Sequence, residues 1–342
     1  MSLMTSPTTL TPLADMLARL LARGAAVAPS RVPVGEAAGW VAAETLRVGR
    51  PVPAVAQALR RGIAVTASDV VGASPYTPVP LASLPVAVRA GDALPPGCDA
   101  VLPADTLQST GPLHEISQTA YPGEDAILAG GDLGSGAVIV AAGETVTPAA
   151  VLALSLAGVA EIAVRRPAIA VEAQDPAVAA LSEWLRASLT ACGCRIAVEE
   201  PAALSVMISR DGGSGGLALN PGRDIRLVED AGRATLVLPA RFDSVVAGFH
   251  ALILPMVAAL TGRRLCRVVR PLTRKLVSQV GVCDIALLRN TEAGYEPLAV
   301  GRIALSSLLA ADAVTVIDPF SEGSAAGDLF LAIPVHEPFE PQ

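Results

Sequence analysis

The chain of 342 residues is poor in aromatic residues, which make up only 3% of it, and its net charge is −7 at neutral pH. Proteins that bind nucleic acid contact phosphates with clustered Lys and Arg and stack bases on aromatic rings. The composition therefore argues against DNA and RNA as partners. Histidine is also scarce, and His114, His250 and His336 lie too far apart in sequence to suggest a triad or a zinc site.

Cysteine is scarce as well, and the five cysteines are scattered along the chain. An odd, scattered set argues against a disulfide framework and fits a reducing compartment. Cys192-Gly193-Cys194 has neither a second cysteine pair nor a nearby histidine to complete a metal site, so a turn that ends a helix is favoured. Residues 1–11 lack the basic start and apolar core of a secretory signal. We expect a cytoplasmic protein.

The chain has no long uninterrupted apolar run, although hydrophobic residues reach 52% and the mean hydropathy is +0.52. The best candidate for a membrane span is residues 245–261, which contain His250 and Pro255. About 20 apolar residues are needed to cross a bilayer. This segment is too short and too interrupted, so we expect a buried helix and no membrane association.

The first half of the chain alternates between helical and β-type patterns. Apolar residues recur at helical spacing over residues 13–21, and residues 34–46 predict a second helix. Between residues 52 and 122, short β-type runs alternate with Pro and Gly, which predicts a small all-β module. Thr147-Pro148 is typical of a helix start, with an N-cap residue followed by proline at the first helical position.

A new pattern begins after Arg165-Arg166-Pro167. Buried-strand patterns alternate with helical ones, which predicts a mostly parallel, doubly wound α/β sheet. The predicted strands are residues 168–172, 195–198, 204–209 and 235–239, and the predicted helices are residues 176–194 and 243–260. After Gly262 the pattern is β again and predicts a barrel-like module. Its predicted strands are residues 266–270, 282–288, 298–305, 314–317 and 329–335.

Three segments carry a resemblance to a known family. They are VRAGDALPPGCDAVLPAD at residues 88–105, YPGEDA at residues 121–126 and GGDLGSG at residues 130–136. In these segments the chain resembles the molybdopterin molybdenumtransferases, the family of MoeA and the gephyrin E domain. Members of this family insert molybdenum into an adenylylated pterin. The resemblance extends over nearly the whole chain: it is strong in residues 34–160, moderate around residues 301–312 and weak at the ends of the predicted α/β strands.

The resemblance implies a multidomain α/β plus β architecture and a homodimer. Residues 1–50 and 123–165 would form an elongated linker and dimerisation module, and residues 51–122 an inserted β domain. Residues 166–263 would form an α/β molybdopterin-binding-like domain, and residues 264–342 a C-terminal β-barrel-like domain. The active groove would lie between the α/β domain of one subunit and the insert of the other. The implied substrates are adenylylated molybdopterin and molybdate, with Mg²⁺ as cofactor.

The resemblance also implies three catalytic carboxylates, Asp125, Asp175 and Asp211, of which Asp175 and Asp211 would hold the metal. Asp125 follows Gly123-Glu124, where the family motif is well matched. Asp175 is followed by Pro176, whereas the family carries an acidic residue at the position of Pro176. An aspartate followed by proline is also an ordinary helix start, with the aspartate as N-cap.

Further positions match the parts of the family that bind the cofactor precursor. A Gly/Ser loop after a strand suits phosphate or molybdate, because glycine lets the backbone approach an anion. The same composition also suits a flexible surface loop. The loop residues are Gly212, Gly213, Ser214 and Gly215. Pro221-Gly222-Arg223 stands where the family has Lys-Pro-Gly-Lys-Pro, and Arg223 would bind an oxyanion.

Arg61 stands where the family carries an aspartate. A positive charge there disfavours Mg²⁺ and favours phosphate or molybdate, whereas a solvated basic pair with Arg60 is the alternative interpretation. The expected function is molybdate insertion into adenylylated molybdopterin with release of AMP. The alternative is a non-catalytic molybdopterin-binding or scaffolding homologue that assists cofactor delivery or maturation of a molybdoenzyme. Arg61, Pro176 and Ala240 replace family residues near the chemistry and favour this alternative.

Overall fold

The computed structural model describes residues 10–110, 112–173, 175–198, 201–210, 216–230 and 233–340. The chain begins with helix α1 (Leu13–Leu21) and strands β1 (Ser30–Pro33), β2 (Val41–Ala42) and β3 (Leu46–Arg47). Leu13, Met16 and Leu20 are buried on one face of α1, as their spacing predicts.

The helix predicted for residues 34–46 is wrong. Only a single 3₁₀ turn forms there, at Val34–Glu36, and it is followed by β2 and β3. Gly39 has a φ of 85°, which interrupts a right-handed helix. Val41 and Ala42 instead pair with a strand more than a hundred residues later in the chain, so long-range pairing overrides the local pattern.

The next segment is built from short strands, as predicted, with two 3₁₀ turns between them at Ala67–Val70 and Ala104–Thr106. Its strands are β4 (Gln57–Ala58), β5 (Gly62–Val65), β6 (Val79–Leu81), β7 (Ala87–Val88), β8 (Ala100–Leu102), β9 (Leu107–Thr110), β10 (Leu113–Ile116) and β11 (Ala126–Ile127). One sheet has the order β7-β5-β8 and another β6-β10-β9. Strands β4 and β11 pair with each other, so the chain enters and leaves this segment side by side.

The chain then returns to its first module through β12 (Val138–Val140), helix α2 (Pro148–Leu156) and β13 (Glu161–Arg165). Strand β12 pairs with β3, and β13 lies between β1 and β2. Helix α2 starts as predicted, because Thr147 is its N-cap and accepts a hydrogen bond of 3.1 Å from the backbone N–H of Ala150.

The α/β part forms a five-stranded sheet. Its elements are β14 (Ala168–Ala173), α3 (Ala179–Ala191), β15 (Arg195–Ile196), β16 (Leu204–Ser209), β17 (Leu219–Asn220), β18 (Arg226–Asp230), β19 (Arg233–Pro239), α4 (Phe242–Gly248) and α5 (Leu254–Thr261). The strand order is β15-β14-β16-β19-β18. The first four strands are parallel and β18 is antiparallel at the edge, so the predicted parallel sheet is confirmed.

Helices α4 and α5 form one continuous helix, joined by a π-helical turn at Phe249–Ile253. Pro255 has no backbone N–H to continue the regular helical pattern, which accounts for the turn at this place. The combined helix, Phe242–Thr261, is long and apolar enough to cross a membrane, but 89% of its most apolar stretch is buried inside the protein. It is the core helix that the interrupted apolar run predicts.

The last part of the chain is mostly β. Its elements are β20 (Val268–Pro271), β21 (Leu276–Val277), β22 (Cys283–Thr291), β23 (Gly294–Val300), α6 (Leu305–Leu309), β24 (Ala313–Ile317), β25 (Gly323–Ser324) and β26 (Leu329–Pro334). The main sheet has the order β17-β22-β24-β26-β20, with β23 on β22. The strand predicted for residues 298–305 is wrong at its end. It stops before Gly301, which has a φ of 64° and lies against the Asp284 carboxylate.

Arg263 joins three parts of the chain. Its buried guanidinium donates to the backbone oxygen of Cys192 and, over 3.3 Å, to the Thr145 hydroxyl, and it lies 3.5 Å from the centre of the Phe339 ring. Cys192 ends α3, and Gly193 follows with a φ of 80°, so the predicted helix-ending turn is confirmed. Burial raises the pKa of the Cys192 thiol to about 11, so the free thiol is protonated at neutral pH.

Candidate functional site

The carboxyl ends of three parallel strands meet at one edge of the α/β sheet. Ala173 in β14 lies beside Ile208 in β16, and Ser209 lies beside Pro239 in β19. After β14 the chain passes to β15, which lies on one side of β14 in the sheet. The parallel strand that follows β16, β19, lies on the opposite side. This reversal is a topological switch point, where open α/β sheets bind their ligands.

Asp175 and Arg210 bridge the switch point. Asp175 follows β14, Arg210 follows β16, and the Arg210 Nη1 atom lies 3.1 Å from Asp175 Oδ2. The other carboxylate oxygen, Oδ1, accepts a hydrogen bond of 2.7 Å from the backbone N–H of Ala177. The N-cap interpretation of Asp175 is thus confirmed, at a 3₁₀ turn that precedes α3. Both oxygens of this predicted metal ligand are occupied by protein donors.

A cleft of about 400 Å³ opens at the same edge, between β16, β19 and β18. We call it the arginine cleft. It is lined by Ser209, Arg210, Asp224, Arg226 and residues 237–241. Among these residues, three are arginines and one is a carboxylate, and each arginine comes from a different strand end. Because β18 runs antiparallel to β19, its first residue Arg226 lies beside Val237 at this edge.

Arg241 forms the best-defined charge pair of the cleft. Its Nε and Nη2 atoms donate to the two oxygens of Asp243 over 3.1 and 2.9 Å, and the backbone N–H of Ser244 donates to Oδ1 over 2.8 Å. Asp243 is buried while the Arg241 side chain is 71% exposed. Burial raises the pKa of Asp243, but the hydrogen bonds from Arg241 and Ser244 outweigh it, so the pKa is lowered and Asp243 stays charged.

The predicted binding segment Pro221-Gly222-Arg223 forms the turn that leads into β18. The Asn220–Pro221 peptide bond is cis, and Gly222 has a φ of 128°. A Cβ atom on Gly222 would approach the Ile225 side chain to 2.8 Å, so the turn requires glycine. The Arg223 Nε atom donates to the Asn220 side chain over 3.1 Å. The turn therefore positions Asp224 and Arg226 in the cleft, whereas Arg223 does not line it.

Asp125 lies in a different part of the chain, where the β segment returns to the first module. Its φ of 50° is left-handed, which aspartate tolerates better than most residues. Its backbone oxygen accepts a hydrogen bond of 2.8 Å from the N–H of Leu59, and its carboxylate lies 3.0 Å from Arg60 Nε. Arg60 is the partner of this carboxylate, while Arg61, predicted as a ligand-binding residue, is exposed beside it.

Of the two predicted Mg²⁺ ligands, Asp175 and Asp211, only Asp175 lies in the described ranges. Mg²⁺ prefers six oxygen ligands, and proteins usually supply one or two carboxylates while water and substrate phosphates supply the rest. Asp125 and Asp175 are each paired with an arginine, and no group of three or more His, Cys, Asp or Glu side chains that could hold a metal occurs among the described residues. Of the remaining predicted residues, Asp211, Gly212, Gly213, Ser214 and Gly215 lie outside the described residues.

The cleft contains two residues that sequence reasoning missed, Arg226 and Arg241. Arg241 follows Pro239 at the end of a predicted strand, but its segment reads as a packing signal because of the adjoining apolar helix. Arg226 belongs to an edge strand in which apolar and polar residues do not alternate regularly. The usable signal was that Arg210 and Arg241 each stand just beyond the carboxyl end of a predicted parallel strand.

The N-terminal part of the chain matches a known family. Residues 11–158 match the model of the MoeA N-terminal region, described as domains I and II. This match includes all three segments that carry the resemblance noted above. It ends before the α/β sheet and the arginine cleft. A search of curated proteins finds no significant match.

The whole fold is similar to solved structures of archaeal proteins. A molybdopterin biosynthesis MoeA protein from Pyrococcus horikoshii is 20% identical, with a TM-score of 0.65 over 96% of this chain and 99% of that chain. A second structure, from Pyrococcus horikoshii OT3, has a TM-score of 0.61 at 20% identity and covers 95% and 99%. A molybdenum cofactor biosynthesis protein from Pyrococcus furiosus has a TM-score of 0.54 at 15% identity, with coverage of 95% and 99%.

Proposed function

Because the chain is MoeA-like in its N-terminal region and in its multidomain fold, we propose that it acts in molybdenum cofactor biosynthesis. In this proposal a molybdopterin-type ligand binds in the arginine cleft, in a soluble, cytoplasmic homodimer. The observation that carries the proposal is the position of the cleft. It lies at the carboxyl edge of the parallel strands, beside the switch point that Asp175 and Arg210 bridge.

The chemistry of the cleft is suited to the anionic part of such a ligand. Adenylylated molybdopterin carries phosphate groups, and arginine is the side chain that best matches the planar, bidentate recognition of phosphate. The cleft volume of about 400 Å³ is within the usual range for small-molecule sites. Val237 and Leu238 supply apolar lining next to the charged groups.

Two roles follow from this assignment. The first is transfer of molybdate, as a substrate, into the bound pterin with release of AMP. The second is binding or scaffolding without turnover, which would assist cofactor delivery or the maturation of a molybdoenzyme. The arginine pairs of Asp125 and Asp175 favour the second role, because they occupy the carboxylates that the transfer reaction would require.

The test is AMP release from adenylylated molybdopterin by the purified full chain, measured with and without molybdate and Mg²⁺, together with equilibrium binding of the same ligand. AMP release that depends on molybdate would assign the transfer role. Saturable binding without AMP release, under conditions where a MoeA protein of known activity turns over, would assign the binding role. Absence of both binding and release would refute the proposed function.

A further inference from the structure

A groove of about 530 Å³ separates the start of the core helix from the C-terminal β part of the chain. We call it the leucine groove. It is distinct from the arginine cleft, because Arg241 alone lines both. One wall is formed by residues 241–243 at the start of α4, and the other by residues 298–299, 302–305 and 307, from the end of β23 into α6.

Two leucines of α6 are exposed at the rim of the groove. Leu305 belongs to the lining and is 56% exposed, and Leu309 is 83% exposed, more than any other leucine in the described ranges. Residues four positions apart lie on the same face of a helix, so these two side chains are neighbours. Leu308 packs against the main core instead. Folding therefore uses another face of α6, and exposed apolar residues beside a groove are typical of interaction sites.

The groove carries an excess of positive charge. Its one described carboxylate, Asp243, is buried and accepts two hydrogen bonds from Arg241, so these two charges offset each other. Arg302 is exposed, and no carboxylate of the described residues forms an ion pair with it. An acidic side chain brought to the rim by a partner would complement this charge.

We propose that the leucine groove is a docking site for an acidic, apolar segment of a partner protein. Apolar side chains of the segment pack against Leu305 and Leu309, and an acidic side chain pairs with Arg302. Charge complementarity of this kind supplies specificity, while buried apolar contacts supply affinity. A concave groove accommodates a single segment of chain, as in other peptide-binding proteins. The inference goes beyond the proposed function, because docking does not require the pterin ligand.

The test is fluorescence anisotropy of the full chain with three short fluorescein-labelled peptides. The first alternates leucine and aspartate, the second leucine and lysine, and the third serine and aspartate. We expect saturable binding of the first peptide and at least about 10-fold weaker binding of the other two, because each lacks one of the two contacts. Equal affinity for all three peptides, or no binding of the first, would overturn the inference.

A charge reversal at the rim locates the site. Arg302→Glu is expected to weaken binding of the leucine–aspartate peptide at least about 10-fold and to tighten binding of the leucine–lysine peptide, because the sign of the charge is inverted. A general disturbance of the fold would weaken both. Arg31→Glu is the matched control, since Arg31 is an exposed arginine of the distant strand β1. Unchanged affinities in Arg302→Glu would contradict the inference.

The apolar contact is tested by Leu305→Ser and by Leu309→Ser. Each is expected to weaken binding of the leucine–aspartate peptide about 10-fold through loss of apolar area. Leu309 is so exposed that its replacement removes little packing from the fold. Leu113→Ser, at a leucine of similar exposure to Leu305 on β10, is the control and should bind like the wild type. Wild-type affinity in both groove variants would contradict the docking site.

Other occupants of the groove are separate outcomes. Loss of self-association in both Arg302→Glu and Leu305→Ser, measured by sedimentation velocity, would show that a second copy covers the groove and would overturn the inference. Cosedimentation of the wild type, but not of Arg302→Glu, with phosphatidylglycerol vesicles would assign a lipid surface and overturn it as well. Peptide docking is measured without pterin, so a failure of docking and a failure of the proposed function are distinguishable.

Discussion

His250 makes the stability of the core depend on pH in a way that can be measured. The side chain is buried in the π-helical turn of the core helix, and its ring meets that of Phe249 edge-on at 5.1 Å. Burial lowers the pKa of His250 from 6.5 to about 4. Between pH 6.5 and about pH 4, His250 is protonated in the unfolded chain and neutral in the folded chain. The free energy of unfolding therefore decreases as the pH falls through this range.

The size of the effect follows from the shift. Each pKa unit corresponds to about 1.4 kcal/mol. His250 is therefore expected to lower the free energy of unfolding by about 2 kcal/mol at pH 5 and about 3 kcal/mol below pH 4, relative to neutral pH. Exposed acidic groups also titrate in this range, so the wild type must be compared with His250→Phe. The difference between the two free energies of unfolding should grow by these amounts as the pH falls from 7.5.

Urea unfolding followed by the fluorescence of Trp184 is a suitable assay. Trp184 packs edge-on against Phe249 at 5.5 Å and therefore reports on the core around His250. A Trp40→Phe background removes the second of the two tryptophans. His336→Gln, a change at an exposed histidine, is the control and should follow the wild type. Identical pH dependence in wild type and His250→Phe would refute the assignment of His250 as a buried neutral histidine.

Two further changes test other contacts of the fold. Arg263→Met is expected to lower the melting temperature by several degrees, because the backbone oxygen of Cys192 loses its buried donor and Phe339 loses its stacked guanidinium. Arg264→Met, at the exposed neighbouring residue, is the control and should leave the melting temperature unchanged. Unchanged melting of Arg263→Met would show that Arg263 does not join the parts of the chain. Thr147→Ala is expected to lower the free energy of unfolding by about 1 kcal/mol through loss of the α2 N-cap, as measured by denaturant titration. No loss would contradict that cap.

Local sequence patterns predicted most of the helices and strands whose formation depends on residues that are neighbours in the sequence. The apolar spacing of α1, the Thr147-Pro148 start of α2 and the alternation of strands and helices after Pro167 all have local causes and are confirmed. The segment at residues 34–46 failed because its outcome depends on pairing with β13, a strand more than a hundred residues away. Sequence spacing does not contain that information.

The candidate site was predictable only in part, for the same reason. A parallel sheet places strand ends together, so Asp175 and Arg210 could be expected at one edge. Their ion pair, and the pair of Arg60 with Asp125, depend on side-chain geometry that a motif does not encode. The family motif indicated Arg61 as a replaced residue, and it contained no information on the ion pair between Asp125 and the neighbouring Arg60.

The most direct test of the account is the equilibrium binding of adenylylated molybdopterin, followed by pterin fluorescence, to the wild type and to Arg210→Ala, with Arg289→Ala as control. The account predicts saturable binding by the wild type and the control, and binding at least about 10-fold weaker by Arg210→Ala. No binding by the wild type, or equal affinity in all three proteins, would contradict the assignment of the arginine cleft as the ligand site.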